Sequence, residues 1–387
     1  FQSCAFATTN TGPICEGATF NLSATDPNGS DPNIGPVNYT WTGPNGFTAT
    51  GQNVSNVPTP TGTPPFNYVC TATPIAAGGA ALTSTTTVEV NLKPVATATP
   101  ALNPICSGAT TDIPLGSNVS GTTFTWTALP TNASGSSAGN GLNIAQTLTT
   151  TGSIVGTVDY TIIPTANTCV GLPIHAFINV NPSPVAIATP TPATICSGST
   201  SNIILTSTPA GASFSWTAAQ TDVLGALSGT GTTIAQVLTA PGNLVGTADY
   251  TITPTLNTCI GLPVHSIISV NPTPIAVATP VSATICSGNS TNVPLTSLVA
   301  GTTFTWTVVQ NNVSGASAGN GINITQALTA TTTSPGTAVY SITPSANGCV
   351  GVTIQVTINV TPIPTASISY LGTPFCSTLT TGQAVTL

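Results

Sequence analysis

The chain repeats itself every 90 residues, and this period constrains its fold more than any other feature. Ile-Cys-Ser-Gly recurs at 105–108, 195–198 and 285–288. Phe124/Trp126, Phe214/Trp216 and Phe304/Trp306 follow in phase, then Tyr160, Tyr250 and Tyr340, then Cys169, Cys259 and Cys349. Pro94, Pro184, Pro274 and Pro364 keep the same spacing and mark the boundaries. The period divides the chain into a divergent first unit, 1–93, three repeats, 94–183, 184–273 and 274–363, and the start of an incomplete unit, 364–387. A unit of this size can bury one modest core. A chain that repeats one domain-sized unit is built for length rather than around an active site.

The ten cysteines sort by repeat. Cys106–Cys169, Cys196–Cys259 and Cys286–Cys349 share one separation, 63 positions, and Cys15–Cys70 is the shorter version in the first unit. This spacing predicts one disulfide inside each domain, worth roughly 4 kcal/mol in the chain-entropy account. Cys4 and Cys376 are left unpaired within the segment. The pairs lack the close C-x-x-C spacing of zinc and redox sites, so neither a metal nor a cofactor is expected. Disulfides at this density imply an oxidising, extracellular compartment.

Charge excludes several partners. The charged residues are 2% of the chain, with Lys93 the lone cation. Almost nothing is available to neutralise phosphate, which excludes nucleic acid and electrostatic attachment to an anionic membrane. No run of 18 apolar residues offers direct membrane insertion. Trypsin has one candidate site, Lys93, and Pro94 follows it, so the chain reads as trypsin-resistant.

Within a repeat the pattern is strand after strand. In 122–128, Thr-Thr-Phe-Thr-Trp-Thr-Ala, Phe124 and Trp126 share one face. Further strands are expected at 95–99, 110–115, 142–148, 155–163 and 173–180, about seven in all if the longer runs bend or split, with Asn140-Gly141 as a hairpin turn pair ending the loop 134–141. Short strands with frequent turns predict an all-β chain, a tandem array of antiparallel immunoglobulin-like sandwiches. The first unit has Cys15, Trp41 and Tyr68-Val-Cys70 in immunoglobulin order. Trp41, Trp126, Trp216, Trp306 and the three in-phase tyrosines are expected in the cores. No Gly/Ser spacer separates the units, and proline-rich junctions are semi-rigid.

Ile-Cys-Ser-Gly, Phe-x-Trp, Gly-Thr-x-x-Tyr-x-Ile-x-Pro (156–164, 246–254, 336–344 in varied form) and Cys-Val/Ile-Gly together resemble the PKD-like repeats of Bacteroidota surface proteins. That resemblance implies a long gliding-type adhesin exported by the type IX secretion system. The Gly-Asp-Gly turn of PKD domains proper is not present.

Candidate chemistry is sparse. His175 and His265 are equivalent, but Gln355 takes the third position. Asp159 and Asp249 are in phase and Val339 replaces them, while Asp112 and Asp222 match nothing, so no carboxylate pair repeats. Asp26, Asn28 and Asp31 cluster oxygen ligands and form a weak calcium candidate, beside the simpler reading of an Asx-rich turn.

The expected role is non-enzymatic: a stiff, protease-resistant stalk segment of a bacterial cell-surface adhesin. Four units in line would reach on the order of 150 Å. Its partners would be further repeats of the same chain, within an excerpted longer array, or neighbouring copies. One alternative is a self-assembling fibre joined through the incomplete ends, Cys4 of one copy bonding Cys376 of the next. Another is an array that binds surface glycans through loops such as 134–141.

Overall fold

The computed structural model describes residues 6–26, 35–76 and 78–366. Among them there is no α-helix, and Pro44–Gly46 forms a 3-10 turn. The architecture is a tandem array of β-sandwiches.

Alternation of apolar and hydroxyl residues makes the strands. In Thr123–Thr131, Phe124 and Trp126 are buried while Thr123, Thr125 and Thr127 face solvent. This is the two-residue period of a strand with one face in a core. Gly156–Ala166 buries every second residue over its full length, Val158, Tyr160 and Ile162 among them. Threonine suits the other face, because it is β-branched and still hydrogen-bonds water.

The repeat 94–183 shows the plan. Its larger sheet runs in the order Ile105–Cys106, Ile174–Asn181, Gly156–Ala166, Thr123–Thr131, Gly139–Asn140. Cys169–Val170 folds back on the end of Gly156–Ala166. Opposite lie Ala96–Ala98, Ile113–Ser117 and Asn143–Ile144, together with Ala109–Thr110, Thr147–Thr150 and Ala133–Ser134. Ile113, Ile144 and Leu148 from these smaller sheets close one core with Phe124, Trp126, Val158 and Tyr160. Equivalent clusters surround Trp216 with Tyr250 and Trp306 with Tyr340. The first unit packs Phe20, Leu22, Phe66 and Tyr68 around Trp41.

The chain divides into two compact units, Phe1–Ser183 with Asn257–Cys259, and Pro184–Leu256 with Ile260–Leu387. The first holds the cores of Trp41 and Trp126, the second those of Trp216 and Trp306.

The cysteine pairing differs from the spacing-based expectation. The bridges are Cys15–Cys169, Cys106–Cys259 and Cys196–Cys349, with Cα separations of 5.5, 5.5 and 5.6 Å. Each repeat therefore receives one disulfide, and its partner lies in the preceding unit. The expected pairs Cys15–Cys70, Cys106–Cys169, Cys196–Cys259 and Cys286–Cys349 do not form. Cys70 and Cys286 are free thiols.

Strand length explains the correction. A disulfide needs Cα atoms about 4.4–6.8 Å apart. Cys106 pairs with Asn181, next to the Val180–Gly156 partners at one end of the large sheet. Cys169 pairs with Ala166 at the other end. The strand from Gly156 to Ala166 spans roughly 33 Å at about 3.3 Å per residue, so the two cysteines of one repeat cannot meet. In the first unit Cys70 is aligned with Trp41 and Ser84 in mid-sheet, whereas Cys15 is aligned with Asn91. The run from Ser84 to Asn91 separates them by roughly 20 Å at the same rise.

One smaller expectation also changes. Asn140 belongs to the strand Gly139–Asn140 opposite Thr125 and Trp126, and only Gly141 takes a positive φ, so Asn140-Gly141 is not a two-residue hairpin turn. The run 142–148 is one of the longer runs that split, into Asn143–Ile144 and Thr147–Thr150. Cys4, Asn28, Asp31 and Cys376 lie outside the described residues.

Candidate functional site

The conspicuous local chemistry lies where one unit hands over to the next. Each junction begins with a short edge strand that carries a cysteine and runs parallel to the strand leaving the domain. The registers are Cys15 with Asn91, Cys106 with Asn181, Cys196 with Asn271 and Cys286 with Thr361. The amide of the following residue locks this strand down. Ser107 donates to Asn181 O and Ser197 to Asn271 O, both at 2.8 Å.

The other half of the junction is a hairpin tip. Asn167 and Thr168 have φ of 47° and 67°, Asn257 and Thr258 49° and 67°, and Asn347 and Gly348 49° and 79°. Two successive residues at positive φ give the tight reversal whose twist matches antiparallel strands. The reversal delivers Cys169, Cys259 and Cys349, each at most 1% exposed, to the bridge. Two residues later a glycine is required by space. A Cβ on Gly171 would stand 1.9 Å from Pro94 O, and on Gly261 and Gly351 it would stand 1.8 Å from Pro184 O and Pro274 O. The hairpin tip thus rests on the boundary proline of its own repeat while its cysteine reaches the preceding unit. Pro94, Pro184 and Pro274 are buried. Within the second compact unit, Asn271 Nδ2 also donates to Asn347 O at 3.0 Å.

Each repeat also holds a polar network that motif reading missed. The Tyr160 hydroxyl donates to Gln146 Oε1 at 2.8 Å, and Tyr250 and Tyr340 do the same to Gln236 and Gln326. The Gln146 amide nitrogen Nε2 donates to Ser137 O at 2.9 Å, which stitches the loop 134–141 to the domain. Thr111 Oγ1 accepts from the Gln146 backbone and donates to Ile144 O. Burial pushes the Tyr160 and Tyr340 phenols up to about 12 and raises Tyr250 as well. The sequence did carry a signal: Gln146, Gln236 and Gln326 are in phase, as are Thr111, Ser201 and Thr291.

The remaining candidates scatter. His175 Nδ1 lies 3.0 Å from Asp159, and His265 Nδ1 lies 3.1 Å from Asp249, diagonal pairs across adjacent strands. Sequence separation hid these partners. His175 also stacks on Phe177 at 6.0 Å. The pairs sit on an open sheet face, and exposed ion pairs contribute about 0–1 kcal/mol. Val339 and Gln355 replace them in the last repeat, cross-strand neighbours of Thr357 and Ser341. Asp112 accepts from Asn143 Nδ2 at 2.8 Å and does not join Asp159. Burial first, and then the charge of Asp26, raise the Tyr39 phenol. Cys70 is fully buried, and burial pushes its thiol up to about 11, which keeps it protonated and inert. Trp41 Nε1 donates to Gly51 O, while Trp126 packs its ring on Gly139, where a Cβ would stand 2.7 Å from the indole.

The sequence matches the model of the PKD-like domain at residues 103–184, 193–274 and 283–364. No curated protein matches the chain. Several solved structures resemble it at low identity. Protocadherin gamma B2 extracellular cadherin domains 3–6 share 10% identity over 92% of this chain and 100% of that one, with a TM-score of 0.29. The insect immune protein hemolin shares 11% over 92% and 100%, with a TM-score of 0.26. The human desmocollin-1 ectodomain shares 11% over 84% and 74%, with a TM-score of 0.26.

Proposed function

The chain belongs to the PKD-like domain family, and from that premise we propose that it is a load-bearing stalk segment of a bacterial cell-surface adhesin. One observation carries the reading: every bridge among the described residues joins a unit to its successor, Cys15–Cys169, Cys106–Cys259 and Cys196–Cys349. A disulfide inside a domain protects that domain's fold. A disulfide between consecutive domains constrains the array, because it adds a second covalent strut beside the polypeptide linker. The boundary prolines supply the first strut, since Pro-rich segments are stiffer than Gly/Ser linkers. Low charge supports exposure to foreign proteases, as Lys93 before Pro94 is the lone trypsin candidate. Disulfides fit maturation outside the cytosol. The resemblance to gliding-type adhesins of Bacteroidota, exported by the type IX route, supports a bacterial surface as the proposed setting.

Small-angle scattering of the oxidised chain tests the stalk. The expected profile is that of a rod whose cross-section is one sandwich. A compact globule overturns the reading.

A further inference from the structure

We propose that the end of the last described domain, around Cys286, is a socket for a further PKD-like repeat following in phase, and that its hairpin cysteine bonds Cys286. Cys286 stands where Cys15, Cys106 and Cys196 stand, on an edge strand parallel to the outgoing strand. Those three are all bonded to a hairpin cysteine 153 or 154 positions later, and Cys286 is free and exposed. The surface around it tells the same story independently. Asn271, Pro272 and Pro274 are buried at the preceding junction, whereas their equivalents Thr361 and Pro362 are half-buried and Pro364 is exposed. The equivalent scaffold is therefore covered where repeat 274–363 follows repeat 184–273 and uncovered at the end of 274–363.

The occupant is defined by what the described residues lack. Their hairpin cysteines, Cys169, Cys259 and Cys349, are already bonded, and Cys70 is buried in a core. A second copy of these domains thus brings no free hairpin to the socket. What fits is a new repeat with Asn-x-Cys-Val/Ile-Gly at the tip. The socket differs from its predecessor in one contact. Asn271 reaches the incoming tip at Asn347 O, but Thr361 Oγ1 donates to Ile285 O within its own domain. Bonding there depends on the sulfur and the backbone shelf rather than on that side chain.

The bond needs an oxidant, for which a small disulfide such as oxidised glutathione serves. The Cys286 thiolate attacks it, forming a mixed disulfide and releasing one glutathione thiol. The hairpin thiolate then attacks the Cys286 sulfur and releases the second. Two protons leave the protein thiols, and the two electrons end in the pair of glutathione thiols.

The socket rests on the family assignment and not on the stalk role, so a chain that bridges correctly but scatters as a globule keeps one and loses the other. The test duplicates residues 274–363 in tandem within the full chain, oxidised in glutathione buffer and mapped by non-reducing peptide mass spectrometry. The expected map joins Cys286 to the hairpin cysteine of the inserted copy, while the parent chain has a Cys286 that maleimide labels. Changing the inserted hairpin cysteine to serine restores that labelling. The Cys196–Cys349 bridge in the same digest reports that the array has folded. A free Cys286 in the extended chain, or a Cys286–Cys286 dimer of the parent chain, overturns the proposal.

Discussion

Cys196 is bonded to Cys349, 153 residues away in the following repeat, and not to Cys259, the second cysteine of its own repeat. Cys259 is bonded backwards to Cys106. This staggered pairing makes a sharp distinction between variants. Cys259→Ser should leave Cys106 reactive to iodoacetamide and Cys196 protected. Pairing within repeats requires the opposite, and peptide mapping decides. Loss of the bridge should cost about 2–5 kcal/mol, read by chemical unfolding.

Pulling the chain by its ends should reveal the stagger as a short tether. The shortest covalent route runs from the first residues to Cys15, across to Cys169, on to Cys196, across to Cys349 and out. That route is about 80 residues long, so the oxidised chain should stop extending near 270 Å, against about 1,300 Å after reduction. Cys259→Ser should leave the limit unchanged. Cys349→Ser should lengthen it to about 700 Å by the same per-residue reach. Force spectroscopy with end handles measures all three, and an oxidised chain that reaches its reduced length sinks the pairing.

The hairpin tip can be improved and broken by single changes. Thr168 has a φ of 67°, which a β-branched residue resists and glycine accepts, as Gly348 shows at the same position. Thr168→Gly should stabilise the protein by about 1 kcal/mol, seen as a higher Tm. Gly171→Ala places a methyl 1.9 Å from Pro94 O and should cost about 1–3 kcal/mol or more. If both variants melt like the parent, the tip does not sit on the proline shelf.

The core tyrosines predict alkaline sensitivity. Tyr160 and Tyr340 are held protonated in the fold, with pKa values pushed up to about 12 from 10.0. The folded state then retains protons that the unfolded state loses, so stability is fully present below pH 10 and falls as pH rises from 10 toward 12. Unfolding midpoints at pH 8 and pH 11 should show the decline, and phenolate absorbance in the native chain should lag behind that of the denatured chain. Tyr160→Phe leaves Gln146 Oε1 without this donor and should cost about 1–2 kcal/mol.

Much of the fold was legible because alternation is local. Phe124 and Trp126 announced Thr123–Thr131, and 155–163 found most of Gly156–Ala166. Where the run 142–148 splits is not marked by alternation, which does not register that Gln146, within it, turns to meet Tyr160. Asn140-Gly141 carried the composition of a hairpin turn, but tight packing of Gly139 on Trp126 holds Asn140 in a strand. The junction was the hardest part to read. Periodicity shows that Cys106, Cys196 and Cys286 are equivalent, yet pairing with one's own repeat and with the next preserves the phase equally well. What separates them is the length of Gly156–Ala166, which puts the two cysteines of a repeat at opposite ends of a sheet. The His175–Asp159 and His265–Asp249 pairs escaped for a similar reason, since strand register and not sequence makes them neighbours.

The three bridges enclose residues 15–169, 106–259 and 196–349, and each enclosure overlaps the next. Every peptide bond between Cys15 and Cys349 therefore lies inside at least one covalent ring. A single cut anywhere in that span opens a ring without severing the molecule. What lies beyond the wound stays attached, through sulfur, to what lies before it, so a chain of such links can be damaged at separate places before it is lost.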